Sequence, residues 1–300
     1  MKLRILFLGA MFLASAFDAR AATVYEIKPS SIDPGVKEFD TPNMAMFDPR
    51  QSGPAPLVLF LPGTHGKPGR KSELPLMELI VKQGYRLIWL SYDNGISVSK
   101  ICPHDPDPGC AEAYRRSRVY GTGGAASVTT APAESVITRF TRMLQALEHD
   151  HPGEGWGGYL VDGKPDWTRV VVAGHSQGAG MAALIAKDHQ VNRVVLFSSP
   201  WDDTHALGAS TRPAPWLSKP AATPVQRWFA EYNKREDTAK LIADAYGALG
   251  IPKDHVLVFD LDLPKDFKGD RANNPYHHVT IQDTNYASLW QVMFGTAKNL

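Results

Sequence analysis

From Pro56 onward the hydrophobic positions fall into two alternating kinds of run. "PLVLFLPGT" is a continuous apolar stretch that ends in a turn, the mark of a strand buried on both faces. "SELPLMELIVKQGY" has helical spacing instead: Leu76, Leu79 and Ile80 share a face, and Gly84 is placed to end the helix. "RLIWLSYDNG" predicts the next buried strand. "AESVITRFTRMLQALEHD" predicts an amphipathic helix with Val136, Phe140, Met143, Leu144 and Leu147 on one side. The alternation continues with a strand in "TRVVVAG", a helix over about Gln177 to His189 and a strand in "NRVVLFSSP". After these come a strand in "QRWFAEY", a helix in "TAKLIADAYGALG", a strand in "DHVLVFDLD" and a closing helix in "NYASLWQVMFGTA". Strands and helices alternating in this way predict an α/β fold, a three-layer α/β/α sandwich on a mostly parallel sheet. Right-handed crossovers put the strand carboxyl ends along one edge, so the loops after Leu61, Tyr92, Gly174, Phe197, the "NKRED" turn and Phe259 should gather around one crevice. The segment from Ala22 to about Pro56 shows little periodicity and reads as a surface wrap with one short strand, "TVYEI". The segment around the cysteines reads as a loop. Neither a linker nor an internal repeat divides the series, which predicts one domain over residues 22–300.

The first residues break the pattern. Lys2 and Arg4 precede an apolar run from Ile5 to Ala14, and Ala19-Arg20-Ala21 follows, the three-part layout of a secretory signal peptide over residues 1–21. The run is shorter than the roughly 20 residues of a membrane span, so no stable membrane insertion is expected after cleavage. Export to the periplasm or the exterior changes the reading of Cys102 and Cys110: in an oxidising compartment, two cysteines this close predict a disulfide that clips one loop. Two cysteines are too few for a structural zinc site, and Asp105 and Asp107 fall short of a calcium cage. The chain of 300 residues is 43% hydrophobic and 21% charged with a formal net charge of +1, so no global field draws it to nucleic acid. No motif points to a metal, nucleotide or flavin.

The candidate chemistry lies in "VVVAGHSQGAGMAALIA". A four-residue apolar approach, three valines and an alanine, runs into Gly174-His175-Ser176-Gln177-Gly178 and opens a helix. A serine on such a sharp strand-to-helix turn is lifted above the sheet, and the close crossing of strand and helix needs small residues two positions to either side. Gly174 and Gly178 stand there.

On these residues the chain resembles the α/β-hydrolases over most of Pro56 to Ala297. The resemblance implies that Ser176 is the nucleophile and that the backbone N–H of Gln177 is one oxyanion donor. It also implies a second donor from the turn after an earlier strand, here the N–H of Thr64 in "LFLPGTHG", with His65 as neighbour. The family order of serine, acid, histidine selects among ten histidines. His175 and His189 are too near Ser176 in sequence, His205 precedes any plausible acid, and His255 opens a strand. His277 and His278, in the loop after the last strand, remain, with His278 preferred and His277 the alternate. For the acid, Glu236 in the "NKRED" turn is preferred, with Asp237 its alternate. Asp260 and Asp262, and Asp202 and Asp203, are the competitors. Trp201, Trp216, Trp228 and Tyr232 are placed to roof the crevice. The implied activity is hydrolysis of a small-molecule ester through an acyl-enzyme, with no cofactor. An amidase or peptidase on the same scaffold, or a non-catalytic binding protein retaining the fold, is the alternative.

Overall fold

The computed structural model describes residues 22–51, 55–124, 128–204, 212–267 and 274–299. The expected signal peptide lies outside the described residues.

The apolar runs form an eight-stranded sheet: β1 (Thr23–Ile27), β2 (Asn43–Phe47), β3 (Leu57–Leu61), β4 (Arg86–Trp89), β5 (Val170–His175), β6 (Arg193–Phe197), β7 (Trp228–Asn233) and β8 (Val256–Phe259). Their order across the sheet is β1-β2-β4-β3-β5-β6-β7-β8. β2 runs antiparallel to both of its neighbours, and every pairing from β4 to β8 is parallel. The alternation of side chains along each strand sorts the core into two layers. Leu57, Leu59 and Leu61 of β3 face one side together with Val170 and Val172 of β5. Against them pack α2 (Cys110–Tyr120), α3 (Val136–Asp150), α4 (Gln177–Asp188) and α5 (Ala239–Leu249). Val58 and Phe60 of β3, with Val171 and Ala173 of β5, face the other side. That side is covered by α1 (Leu74–Lys82), α6 (Pro275–Val279) and α7 (Ala287–Phe294). The predicted α/β/α sandwich is therefore the fold of the chain.

Three expectations need correction. The stretch from Ala22 to Pro56 holds a second strand, β2, whose five residues are all buried; aperiodicity hid it because a strand covered on both faces need not alternate. The cysteine segment is not all loop, because α2 begins at Cys110 and buries Tyr114, Arg115 and Arg118; its polar composition masks a helix that is buried through paired arginines. His277 and His278 lie on the short helix α6, entered through Asn274 with φ 47° and Pro275, rather than in an extended loop. Cys102 and Cys110 do form the expected disulfide, with 5.5 Å between their Cα atoms. Among the described residues, no helix is long and apolar enough to cross a membrane.

Candidate active site

β5 ends at His175 and α4 starts at Gln177, leaving Ser176 alone to turn the chain. Its φ of 76° and ψ of −116° lie in a region that L-residues rarely adopt, a strain on the order of 1–3 kcal/mol that the surroundings must hold. The Ser176 N–H donates to the carbonyl of Phe197 at 3.0 Å, which pins the turn to β6. The glycines on either side are required by contact. A Cβ on Gly174 would sit 2.5 Å from the carbonyl carbon of Gly178, and one on Gly178 would overlap the backbone of Leu61. Backbone approaches this close are what allow the helix to leave directly over the sheet.

His277 reaches this serine. Its Nε2 lies 2.8 Å from Ser176 Oγ, and its Nδ1 lies 2.7 Å from Glu236 Oε2. With Nδ1–H donating to the carboxylate, Nε2 is the free acceptor for the serine hydroxyl. The preference for His278 is corrected: its ring lines the same cleft but stands beside His277, 5.2 Å away between centroids. Successive residues of a helical turn point about 100° apart, so only one ring of an adjacent pair can face the elbow. The neutral ring of His175 selects which one, its Nε2–H donating to the backbone carbonyl of His277 at 2.9 Å. Burial, and then the neighbouring rings of His277 and His278, hold His175 well below the usual imidazole range.

Glu236 stands in the turn after β7, 4% exposed. Its Oε1 accepts from the Asn233 N–H at 3.0 Å and from Ser198 Oγ at 3.1 Å. Asp237 is exposed and turned away, its N–H bonded to Asn274 Oδ1 at 3.1 Å. The other carboxylates are engaged elsewhere. Asp202 is buried against Arg115, whose Nε donates at 2.6 Å, and against Trp216 Nε1 at 2.9 Å. Asp203 stands opposite Pro213 in a short antiparallel strand pair. Asp260 meets Lys234 and Arg235 at the surface, and Asp262 also meets Arg235.

The turn after β3 closes over the elbow: a Cβ on Gly63 would be 2.9 Å from both Ser176 Cβ and His175 Nδ1. Thr64 Oγ1 donates to Gln177 Oε1 at 3.3 Å, which ties the two expected oxyanion residues together. Gln177 is the first residue of α4, so its N–H has no intrahelical acceptor. Asn94, buried and not singled out by the sequence reading, holds this turn through Nδ2 to the carbonyls of Gly63 at 2.7 Å and Gly66 at 2.9 Å. Around Ser176 lies a cleft of about 350 Å³. Its walls include Thr64 and His65, residues 97–100 of the segment next to the disulfide, and Trp201. Of the four aromatics expected to roof it, only Trp201 does, with its ring edge-on to His277 at 5.1 Å. Trp216 and Trp228 are core residues, and Tyr232 packs against Tyr246. Among the described residues, no group of three or more His, Cys, Asp or Glu side chains is arranged to hold a metal ion.

The sequence reading also missed Ser198, Glu231 and Thr280, which pack behind the carboxylate of Glu236. A glutamate at the centre of the apolar "WFAEYN" strand was the available signal, since a charge in that setting needs an unusual environment.

No protein-family model matches the chain, and no curated protein matches it. Among solved structures it is similar to a protein from Klebsiella pneumoniae subsp. pneumoniae designated a dienelactone hydrolase. The identity is 14% and the TM-score 0.44, over 92% of this chain and 99% of that one. It is also similar to an esterase from Pyrococcus furiosus, at 15% identity and a TM-score of 0.45, over 93% of this chain and 92% of that one. The strand order of the sheet, the one reversed strand next to its edge and the sharp turn from β5 into α4 are the features of this α/β/α sandwich on which the resemblance to the α/β-hydrolases rests.

Proposed function

We propose that the protein is a serine hydrolase that cleaves small-molecule esters through an acyl-enzyme on Ser176. The observation that carries this reading is the unbroken run of hydrogen bonds from Ser176 Oγ to His277 to Glu236, at 2.8 and 2.7 Å. A serine hydroxyl is a weak nucleophile at neutral pH, and a base within hydrogen-bond reach is what activates it. As Oγ attacks the ester carbonyl, its proton passes to His277 Nε2. Glu236 holds the ring in the required tautomer and stabilises its positive charge without taking the proton. The carbonyl oxygen becomes an oxyanion, met by the N–H groups of Gln177 and Thr64; one such donor is worth roughly 3 kcal/mol of barrier. The intermediate collapses, the C–O bond to the leaving group breaks, and the departing alkoxide takes the proton from His277. Water then repeats the sequence on the acyl-enzyme, giving the acid and free Ser176. The cleft volume suits a small molecule. The leader-like layout of residues 1–21 and the disulfide support a site that works in the periplasm or outside the cell.

A fluorophosphonate probe tests the reading. Labelling is expected at Ser176 alone, located by mass spectrometry of the labelled peptide and lost in Ser176→Ala, together with turnover of short-chain p-nitrophenyl esters. A protein that takes no label at neutral pH and hydrolyses no ester in a chain-length series is a binding protein on this scaffold.

A further inference from the structure

Behind Glu236 a second carboxyl group is sealed in the protein. Glu231, on β7, has no exposed surface, and its Oε1 is 3.4 Å from Ser198 Oγ. That same hydroxyl lies 3.1 Å from Glu236 Oε1 and 3.5 Å from Thr280 Oγ1. Thr280 Oγ1 in turn donates to the carbonyl of His277 at 3.2 Å. Ser198 has one proton to give, and two carboxyl groups face it. Glu236 already receives His277 Nδ1–H and the Asn233 N–H, so it is furnished as an anion. Glu231 is furnished less well: its Oε2 is buried with no hydrogen-bond partner, and the Ser198 and Thr280 hydroxyls that act on its carboxyl have Glu236 Oε1 and the His277 carbonyl as other acceptors. An ionised oxygen left in that state costs several kcal/mol.

We propose that Glu231 is a neutral carboxylic acid and a positioning residue for Glu236. Its O–H donates to Ser198 Oγ, the Ser198 hydroxyl donates to Glu236 Oε1, and Glu236 Oε2 accepts from His277. All donors then run one way, from Glu231 to the triad carboxylate and from Ser176 through His277 to the same carboxylate. Glu236 gains a directed hydrogen bond without a second negative charge beside His277, and its other oxygen, Oε2, is aimed at Nδ1. The groups that face Glu231 agree with this. Glu236 approaches from the turn after β7, Tyr246 from α5 through its hydroxyl to the Glu231 carbonyl at 2.8 Å, and Tyr286 from the turn before α7. His277 stands beyond Glu236, and no cation is among the described groups that act on Glu231. Burial first, and the charge of Glu236 second, push its carboxyl well above the usual carboxylate range.

The role rests on the proposed action of Ser176, His277 and Glu236; the protonation state does not, so the test has two arms. Infrared spectra of the protein at neutral pH are expected to show the carbonyl stretch of an undissociated carboxyl group. The part of that band due to Glu231 should persist in Ser176→Ala and be lost in Glu231→Gln, while the part due to Glu73, whose carboxyl is raised to about 7, remains in both. In ester hydrolysis, Glu231→Gln retains a donor to Ser198 and should keep kcat, KM and the acid limb of the pH profile of kcat/KM within about twofold. Glu231→Leu and Ser198→Ala, which break the relay, should each lower kcat about fivefold to tenfold at unchanged KM, the worth of one neutral hydrogen bond. Absence of the Glu231-dependent band overturns the proposal. So does a fall of about one pH unit in the acid limb of Glu231→Gln, the sign that a negative charge next to the triad has been removed. If Glu231→Leu does not fold, the spectra and Glu231→Gln still decide. If no ester is turned over, the infrared arm stands by itself.

Discussion

His175 Nε2 donates to the backbone carbonyl of His277 at 2.9 Å, so the residue beside the elbow serine fixes the helix that carries the opposing imidazole. Two segments a hundred residues apart are thereby held in one register, and the 2.8 Å contact from His277 to Ser176 depends on it. His175→Ala is expected to lower kcat about tenfold or more with a smaller change in KM, because it frees the proposed base, His277, without removing it. Steady-state kinetics on a p-nitrophenyl ester provides the comparison; an unchanged kcat contradicts the anchoring role.

The adjacent histidines give a sharper contrast. His277→Gln should cut kcat by about 10³ or more, whereas His278→Gln, which alters the cleft wall beside the His175 and His277 rings, should leave kcat within about tenfold and act mainly on KM. Glu236→Gln and Asp237→Asn should divide in the same way, with Asp237→Asn near wild type. Equal losses within either pair would mean that the assignment of base or acid is wrong.

Gly178 and Gly247 separate a crowded glycine from an open one. A Cβ at position 178 meets the backbone of Leu61, which cannot move aside, while nothing lies within 4 Å of a Cβ at position 247 in α5. Gly178→Ala is expected to cost more than about 3 kcal/mol or to yield no soluble protein. Gly247→Ala should stabilise by about 0.5–1 kcal/mol through helix propensity. Denaturant titrations measure both, and a Gly178→Ala protein of normal stability would contradict the close crossing.

Glu73 gives stability a pH dependence of known sign. Burial raises its carboxyl to about 7 against an ordinary 4.5, with Arg70 opposing. The folded state therefore binds the proton more tightly than the unfolded one. Its full contribution is present below pH 4.5, and it is lost as the pH rises through about 7. At alkaline pH, Glu73→Gln should be the more stable protein by on the order of 3 kcal/mol, and the advantage should fade toward pH 4.5. Melting temperatures of both proteins across that range supply the check; a constant difference would mean that Glu73 titrates normally.

The Cys102–Cys110 disulfide closes a short loop, with a sequence separation of 8. Chain entropy assigns it about 2.5 kcal/mol. The double replacement by serine should lower the melting temperature by about 5 °C. Because residues 97–100 form a wall of the cleft, KM should rise more than kcat falls. Kinetics on the reduced protein would show the same split.

The sequence by itself determined the layered α/β fold and the strand-to-helix turn that holds Ser176. Both follow from local rules: a buried strand is continuously apolar, a helix has a 3.6-residue period, and a tight crossing excludes side chains. The order of serine, acid and histidine implied by the resemblance to the α/β-hydrolases also narrowed the candidate base to His277 or His278 and put Glu236 first among the candidate acids. The tertiary structure alone decided which imidazole faces the serine. That choice rests on a hydrogen bond from His175, which no pattern around residue 277 encodes. It likewise decided that Asp202 belongs to Arg115, and that β2 and α2 are part of the core. Those outcomes depend on which side chains meet across the sheet, and buried charges become legible only when their partners are in place. Glu231 is the clearest case: in the sequence it is a misplaced charge in an apolar strand, and in the fold it stands one hydroxyl away from the carboxylate of Glu236.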